Sequence, residues 1–431
     1  MQRVEVTIKI LNTTDFESKL LAWAQKFEVA CWLNSNNYPQ KYSNYNTVLA
    51  IGAHSKLSVN YKSAFQKLKA YQSNCNDYIF GYLGYDLKND IENLSSNNFD
   101  ELHFPDLFFF QPKKIFFIKN DVLKISYLKT YEQEITGDLQ NINATDICYD
   151  TSDCELKIKL RIHKDAYFNK LQKVLNHIHR GDIYEANFCQ EFYSENAVID
   201  PLKVFQNLNE ISKPPFATFL KFNNNYLLSA SPERYLKKDG NIVISQPIKG
   251  TAKRAKTKKE DEMLIRELEQ NSKERAENIM IVDLVRNDLS TVALKGTVKV
   301  DELCKVYTFK QVHQLISTVS CIVKNVHPVD IIKKTFPMGS MTGAPKIEAM
   351  KIIEDVEETK RGLYSGAVGY ITPNNDFDFN VIIRSILYNA NNQYISYSVG
   401  SAITSKSIPG NEYEECLLKA KALKHVLLTT K

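Results

Sequence analysis

Short apolar runs separated by polar turns dominate the first 150 residues. The segments 108–110 and 115–118 contain only Phe and Ile, which predicts buried core strands. The segment 77–86 is aromatic and contains Gly81 and Gly84, which predicts a buried strand followed by a tight bend. Residues 16–32 predict a helix followed by a strand. No catalytic constellation is visible in this part of the chain.

Helical periodicity is clearest between residues 165 and 180. One face of that segment carries the apolar residues Tyr167, Leu171, Val174, Leu175 and Ile178. Gly181 follows at the position where a C-cap glycine is expected, and 182–190 then predicts a strand. The polar stretch 133–155 marks a boundary, so we expect an N-terminal region (1–150) and a C-terminal domain (155–431). The mixture of strands and helices predicts an α+β fold.

The composition is that of an ordinary soluble globular protein. The 431 residues are 43% hydrophobic and 24% charged, with a net charge of +5. The one basic run, 253–259, is followed at once by three acidic residues, which argues against a nucleic-acid-binding stripe. No apolar run reaches membrane-spanning length. The eight cysteines form no C-x-x-C pair, and no secretory signal is present, so we expect reduced thiols and a cytoplasmic location.

A lysine in the segment 246–254 is the first candidate for chemistry. A strand-like run precedes Pro247, which has no N–H to donate and should end the ladder. Gly250 frees the backbone just after Lys249, and Thr251 lies beside it. A lysine amine is a nucleophile when its surroundings favour the neutral form. The structural alternative is a solvated lysine in a turn.

Two pairs of glutamates have helical spacing. Glu274 and Glu277 follow Ser272, a candidate N-cap, and Glu412 and Glu415 lie near the C-terminus. Like charges three apart on a helix cost about 0.2–0.5 kcal/mol unless something offsets them. Mg²⁺ would do so, since it takes a few carboxylates and completes its shell with water and substrate oxygens. By spacing alone, a solvated helix face is the commoner explanation.

A glycine-rich turn at 336–346 opens a predicted helix at 347–356. Pro345 suits the first helical turn, and the turn should present backbone N–H groups to an anion. The order of a P-loop is absent, so a carboxylate or phosphate of a small molecule is a better ligand than a nucleotide. Arg384 lies at the end of an apolar strand, where an arginine is expected to pair with a carboxylate. That carboxylate belongs either to a ligand or to another residue of the protein.

These segments together resemble the chorismate-utilising enzymes, the family of anthranilate synthase component I. The matching motifs, in family order, are Ser-Pro-Glu at 231–233, Pro-Ile-Lys-Gly-Thr at 247–251, Glu-x-x-Glu with Met-x-Val-Asp-Leu-x-Arg-Asn-Asp at 274–288, Gly-Ser-x-Thr-Gly-Ala-Pro-Lys at 339–346 and Glu-Tyr-x-Glu at 412–415. The resemblance is dense from about 160 to 425. It implies a bilobed fold of large antiparallel sheets flanked by helices, with an anthranilate-synthase-component-I-like region at 1–150 and the chorismate-binding catalytic domain at 155–431.

The resemblance also implies roles for individual residues. Glu277 and Glu415 would bind Mg²⁺, with Glu274 and Glu412 nearby. Lys249 would be catalytic. The residues implied to bind chorismate are Thr251, Thr342, Gly343, Lys346, Tyr364, Arg384, Gly400 and Ser401.

Lys249 indicates a branch of the family. It resembles the lysine that aminodeoxychorismate synthases carry at this position. Anthranilate synthases usually carry alanine there. The implied reaction is amination of chorismate at C4, on the route to p-aminobenzoate and folate. No Gly-x-Cys-x-Gly nucleophile elbow occurs, so a separate glutamine amidotransferase subunit should supply ammonia. The alternatives are an anthranilate synthase component I and a catalytically silent chorismate-binding protein.

Three positions depart from the family pattern. In the segment 181–187, Glu185 occupies the position where the family has glutamine. Relatives that use water as the nucleophile carry a lysine in this region. The absence of that lysine favours ammonia as the nucleophile here. Gln314 occupies the place of a frequent histidine, with His313 one residue early, so no histidine role is assigned. The segment 32–35, Trp-Leu-Asn-Ser, differs from the Leu-Leu-Glu-Ser of tryptophan sites, which argues against feedback inhibition by tryptophan.

Overall fold

The computed structural model describes residues 2–38, 41–147 and 156–430. The helices are α1 (Thr13–Trp23), α2 (Ala64–Cys75), α3 (Lys88–Ile91), α4 (Ile135–Asn143), α5 (Lys164–Arg180), α6 (Pro201–Ser212), α7 (Lys258–Gln270), α8 (Ser272–Ser290), α9 (Pro328–Thr335), α10 (Lys346–Val356) and α11 (Pro409–Thr429). The first ten strands are β1 (Arg3–Lys9), β2 (Val29–Asn34), β3 (Thr47–Val59), β4 (Ile79–Leu83), β5 (Leu107–Lys119), β6 (Val122–Leu128), β7 (Lys159–Leu160), β8 (Glu185–Ser194), β9 (Phe216–Phe222) and β10 (Asn225–Ser231). The other strands are β11 (Arg234–Asp239), β12 (Ile242–Gln246), β13 (Ile248–Lys253), β14 (Lys299–Thr308), β15 (Val312–Ile322), β16 (Gly343–Ala344), β17 (Ala367–Ile371), β18 (Phe377–Val381), β19 (Ser385–Asn389) and β20 (Tyr394–Thr404).

The strands form one antiparallel hydrogen-bonded sheet with β5 at its centre. One edge of β5 pairs with β3, and the other edge pairs with β4 and then with β6. A first arm runs from β3 through β2, β9, β10, β19 and β20 to β8. A second arm runs from β4 through β17, β18, β11 and β12 to β15 and the edge strand β14.

The two arms fold back and pack face to face. Because side chains alternate along a strand, each arm has an inner and an outer apolar face. Cys31 of the first arm and Tyr82 of the second both contribute to the core between the arms. Their neighbours Trp32 and Leu83 face outward, Trp32 into the core covered by α1, α6 and α11, and Leu83 into the core covered by α2, α8 and α9. The result is a helix–sheet–sheet–helix arrangement, as the α+β prediction required.

Several local predictions are confirmed and others need correction. The amphipathic helix predicted at 165–180 is α5, and it ends at Gly181. The two aromatic runs at 108–118 belong to the single strand β5 and not to two strands. Ser272 begins α8 but does not cap it, since the Asn271 side chain accepts from the amides of Lys273 and Glu274. Pro345 is the N-cap of α10 and not its first residue.

The proposed boundary between regions falls largely on residues 148–155, which lie outside the described residues. Strands from both sides of it interleave, since β2 pairs with β9 and β4 pairs with β17. The division at 1–150 and 155–431 therefore stays a prediction. Within the described part of the chain, no helix combines the length and the apolar character needed to cross a membrane.

A substitution at Gly81 tests how tightly the strands pack at the centre of the sheet. A Cβ at this position would lie 1.9 Å from the Phe108 backbone oxygen, and a backbone cannot yield as a side chain can. We expect Gly81→Ala to lower the free energy of unfolding by about 3 kcal/mol, the upper end of ordinary overpacking. The control is Gly137→Ala in α4, where nothing lies within 4 Å and the helix should gain about 0.5–1 kcal/mol. Urea denaturation of both variants checks this, and equal midpoints would contradict it.

Candidate active site

A large cleft lies where the ends of the two arms meet. It has a volume of about 1020 Å³. Strands β8 and β20 of the first arm contribute Glu185 and Gly400, and strands β13 and β15 of the second contribute Lys249 and Gln314. Helices α8 and α11 add a row of glutamates. The cleft therefore exists only because the sheet folds back on itself.

Lys249 lies in a β-bulge. Strands β12 and β13 both pair with β15, and the register shifts between Ile248 and Thr251, so that Lys249 and Gly250 bulge out of the ladder. Gly250 has φ +104, and a Cβ there would lie 2.9 Å from Leu315 Cδ1, so only glycine fits. The sequence predicted that the strand ends at Pro247. The structure shows that it is interrupted there and then resumes.

The Lys249 ammonium is surrounded by carboxylates. It lies 3.2 Å from Glu277 Oε2, and its side chain is 21% exposed. Burial lowers the pKa of Lys249, but the charges of Glu277, Glu185 and Glu415 together outweigh burial and leave the pKa raised. The sequence argument had required a lowered pKa for a nucleophile. Lys249 is therefore a protonated ion-pair partner of Glu277 in this structure.

All four glutamates of the two helical pairs line the cleft. Glu274 and Glu277 come from α8, and Glu412 and Glu415 come from α11. Glu415 is bound by Lys419, one helical turn further on, at 2.6 Å. Among the described residues, no three acidic, His or Cys side chains are arranged as a ready-made metal site. The helices instead bring two carboxylate pairs to one cleft, and one glutamate of each pair, Glu277 or Glu415, forms an ion pair with a lysine.

Arg384 lies in the cleft without a carboxylate partner among the described residues. Its one side-chain hydrogen bond runs from Nη1 to the Lys419 backbone oxygen at 3.4 Å. Burial lowers the pKa of Arg384, because desolvation penalises the charged form. Tyr364 lies nearby in the cleft wall and is buried. A half-buried guanidinium with open donors can bind an anionic group.

Comparison with known proteins identifies the family. Residues 28–425 match the model for chorismate binding enzymes. The chain belongs to the chorismate-binding enzyme family.

Two curated relatives and one solved structure illustrate the similarity. The chain is 36% identical over 347 residues to an anthranilate synthase component I-like protein of Synechocystis sp., covering 80% of this chain and 71% of that one. It is 33% identical over 361 residues to aminodeoxychorismate synthase component 1 of Bacillus subtilis, covering 80% and 76%. The structure of anthranilate synthase component I from Streptococcus pneumoniae superposes with a TM-score of 0.78 at 24% identity, covering 90% and 93%. The chain spans less than half the length of the chloroplastic relatives from Oryza sativa subsp. japonica and Arabidopsis thaliana.

The structure brings together most of the site residues expected from the sequence, but only half of those expected to bind chorismate. The expected residues that line the cleft are Lys249, Thr251, Glu274, Glu277, Tyr364, Arg384, Gly400, Glu412 and Glu415. Four others do not line it: Thr342, Gly343, Lys346 and Ser401. The roles of all of these residues stay predictions.

The glycine-rich turn explains three of the four exceptions. Thr342 donates its hydroxyl to the backbone oxygens of Met338 and Gly339, and Gly343 pairs with Ala186 of β8. Lys346 forms an ion pair with Asp288 at 2.7 Å. Thr342, Gly343 and Lys346 therefore have partners within the protein, and the anion site that the sequence predicted at this turn stays a prediction. Ser340 is the residue of this turn whose polar side chain lines the cleft.

Two buried carboxyl groups and one lysine were not assigned from the sequence. Glu233, in the Ser-Pro-Glu motif, is 4% exposed and accepts from Ser340 Oγ at 2.7 Å. Burial raises its pKa to about 7. Burial also raises the pKa of Glu185 to about 7. Lys419 donates to the Gly400 oxygen at 2.8 Å, and its spacing of four from Glu415 was the available signal.

Because side chains alternate along β15, the neighbouring residues His313 and Gln314 lie on opposite faces of the strand. Gln314 lines the cleft, whereas His313 is fully buried on the other side of the strand. His313 is hydrogen-bonded to Asp261 at 2.9 Å and to Thr308 at 3.0 Å. His313 is therefore part of the packing that holds α7 against the sheet.

Proposed function

We propose that this protein is the chorismate-aminating component of an aminodeoxychorismate synthase. The reaction is chorismate plus ammonia giving 4-amino-4-deoxychorismate plus water, on the route to p-aminobenzoate and folate. The observation that carries the proposal is the amine of Lys249, held by a bulge inside a cleft of the chorismate-binding fold. The names of relatives in both the aminodeoxychorismate and anthranilate branches agree with the broader class.

The cations of the cleft suit a dianionic substrate. Chorismate carries two carboxylates, one on the ring and one on the enolpyruvyl side chain. Arg384 has open guanidinium donors in the cleft, and Lys419 lies one turn from Glu415 at the same wall. Bidentate binding of a carboxylate by Arg384 is the strongest contact available there. Tyr364 and the Gly400 backbone would complete the wall against which the ring packs.

The donor set of the cleft fits Mg²⁺. Its four glutamates supply hard carboxylate oxygens, which Mg²⁺ prefers, together with room for water and substrate oxygens. Glu277 and Glu415 would hold the ion, and Glu274 and Glu412 would act nearby. When bound, Mg²⁺ would neutralise the substrate carboxylate and fix the ring. Engagement of Glu277 by a cation would break its ion pair with Lys249, and burial would then favour the neutral amine.

Lys249 gives the reaction its C4 regiochemistry. Its neutral amine attacks C2, the double bonds shift, and the C4 hydroxyl leaves. Ammonia then adds at C4, the double bonds shift back, and the C2–Nζ bond breaks to release the lysine. Glu233 can donate the proton that the departing hydroxyl needs, since it lines the cleft and its pKa of about 7 keeps much of it protonated at neutral pH.

Ammonia would come from a separate glutamine amidotransferase subunit. The sequence has no Gly-x-Cys-x-Gly elbow, the motif in which a glutaminase nucleophile would be expected. The isolated chain should therefore use ammonium salts and ignore glutamine.

Product analysis tests the function directly. The protein is incubated with chorismate, Mg²⁺ and an ammonium salt at a pH high enough to supply free ammonia, and the products are identified by mass and fluorescence. We expect 4-amino-4-deoxychorismate. Fluorescent anthranilate would assign the chain to the anthranilate branch, and the absence of turnover would indicate a silent chorismate-binding protein.

Chelation and a single substitution test the metal. EDTA should abolish turnover, and excess Mg²⁺ should restore it. Glu415→Gln should reduce kcat/KM by about a hundredfold, because it removes one charged ligand. The control is Glu414→Gln, the exposed neighbour that does not line the cleft, and it should behave as wild type. Full activity in EDTA would contradict the assignment.

The covalent role of Lys249 has its own signature. With chorismate and Mg²⁺ but no ammonia, an adduct should accumulate on the peptide that contains Lys249. Lys249→Ala should show no adduct and should lose most of its C4 amination. The alternative is that Lys249 only pairs with a substrate carboxylate. That alternative is right if wild type stays unmodified while Lys249→Ala still makes the product at a normal rate.

A further inference from the structure

Glu185 is a buried carboxyl group that the mechanism so far does not use. It is 2% exposed, it lines the cleft, and its Oε2 has no hydrogen-bond partner among the described residues. Its backbone is fixed on both edges, because Glu185 pairs with Ala344 on one side and Thr404 on the other. Neighbouring strands therefore hold the Glu185 backbone on both edges, and its side chain lies in the cleft wall.

A buried carboxyl oxygen without a partner is expected to accept a hydrogen bond from a bound molecule. Leaving such a group unsatisfied costs about 1–3 kcal/mol, so native proteins rarely keep one without a ligand or water. The Glu185 carboxylate would repel the carboxylates of chorismate, so it does not bind them. Chorismate offers one hydroxyl donor, whereas ammonia and ammonium offer three or four N–H groups.

The location of Glu185 agrees with a site for the nitrogen nucleophile. Lys249 and Glu277 are the charged groups that act on it electrostatically, so it lies beside the amine that would carry the substrate adduct. Asn187, two residues further on, lines the same cleft. Since residues i and i+2 of a strand share a face, both polar groups are presented to the same space.

We propose that Glu185 is the acceptor that binds ammonia in the cleft and stabilises the positive charge that forms on its nitrogen. This inference rests on the proposed function. In the second half of the reaction, the N–C4 bond forms, the double bonds shift back, and the bond between C2 and the protonated Lys249 nitrogen breaks. The lysine leaves as a neutral amine, and the positive charge is now on the new C4 nitrogen. That nitrogen gives one proton to the Glu185 carboxylate.

The test is Glu185→Gln, which keeps the shape and removes the charge. At fixed pH, we expect its KM for ammonium to rise by about tenfold, the loss of one charge-assisted hydrogen bond. The KM for chorismate should stay within about twofold of wild type. Lys249 adduct formation without ammonia should not be slower, because the Glu185 charge raises the Lys249 pKa and its removal favours the neutral amine. Glu185→Asp, which keeps the charge on a shorter side chain, should lie between the two. Glu414→Gln is the matched control, and thermal unfolding confirms that each variant is folded.

The outcomes separate this inference from the function on which it rests. An unchanged KM for ammonium in a folded Glu185→Gln variant overturns the role of Glu185 and leaves the proposed function intact. A rise in the KM for chorismate, or loss of the adduct, means that Glu185 contacts chorismate and also overturns the role. A wild-type protein that makes no 4-amino-4-deoxychorismate overturns the proposed function and this inference with it.

Discussion

The face-to-face packing of the two sheet arms is the constraint on which the rest of this structure depends. Each arm is apolar on its inner face, and neither can bury that face except against the other. Because both arms start at β5, folding them together brings their free ends into contact. The cleft is built there, between β8 and β20 on one side and β13 and β15 on the other. The active site is thus a consequence of how the core closes.

The charged groups of the cleft are already positioned by contacts within the protein. Glutamates from two helices face lysines and an arginine inside a partly desolvated space, where charges interact more strongly than in water. The ion pairs of Lys249 with Glu277 and of Lys419 with Glu415 hold these groups in place. In the proposed function, a dianionic substrate with a divalent cation would exchange these pairs for new ones of the same kind.

The N-terminal region supports the site, although none of its described residues contributes a charged group to the cleft. The Tyr85 amide donates to the Gly362 oxygen at 2.7 Å, and Asp86 accepts from the Gly362 amide at 2.9 Å. Arg361 packs over the Tyr85 ring and donates to the Asn187 backbone oxygen at 2.6 Å. These contacts fix the turn that leads to Tyr364. The turn that follows β4 therefore helps to position cleft residues that lie far away in the sequence.

The sequence by itself determined the α+β class, the amphipathic helix α5 and the motifs that carry the candidate chemistry, because these depend on local periodicity and on residue identity. The spacing of Glu274 with Glu277 and of Glu412 with Glu415 already placed each pair on one helix face. Only the tertiary structure decided which groups share a space, since the cleft joins strands separated by more than 150 residues. It showed Lys346 paired with Asp288 outside the cleft, and it showed Glu185 and Glu233 buried within it. Whether a polar group faces a ligand, a partner or the core is set by contacts distant in sequence, which local pattern does not encode.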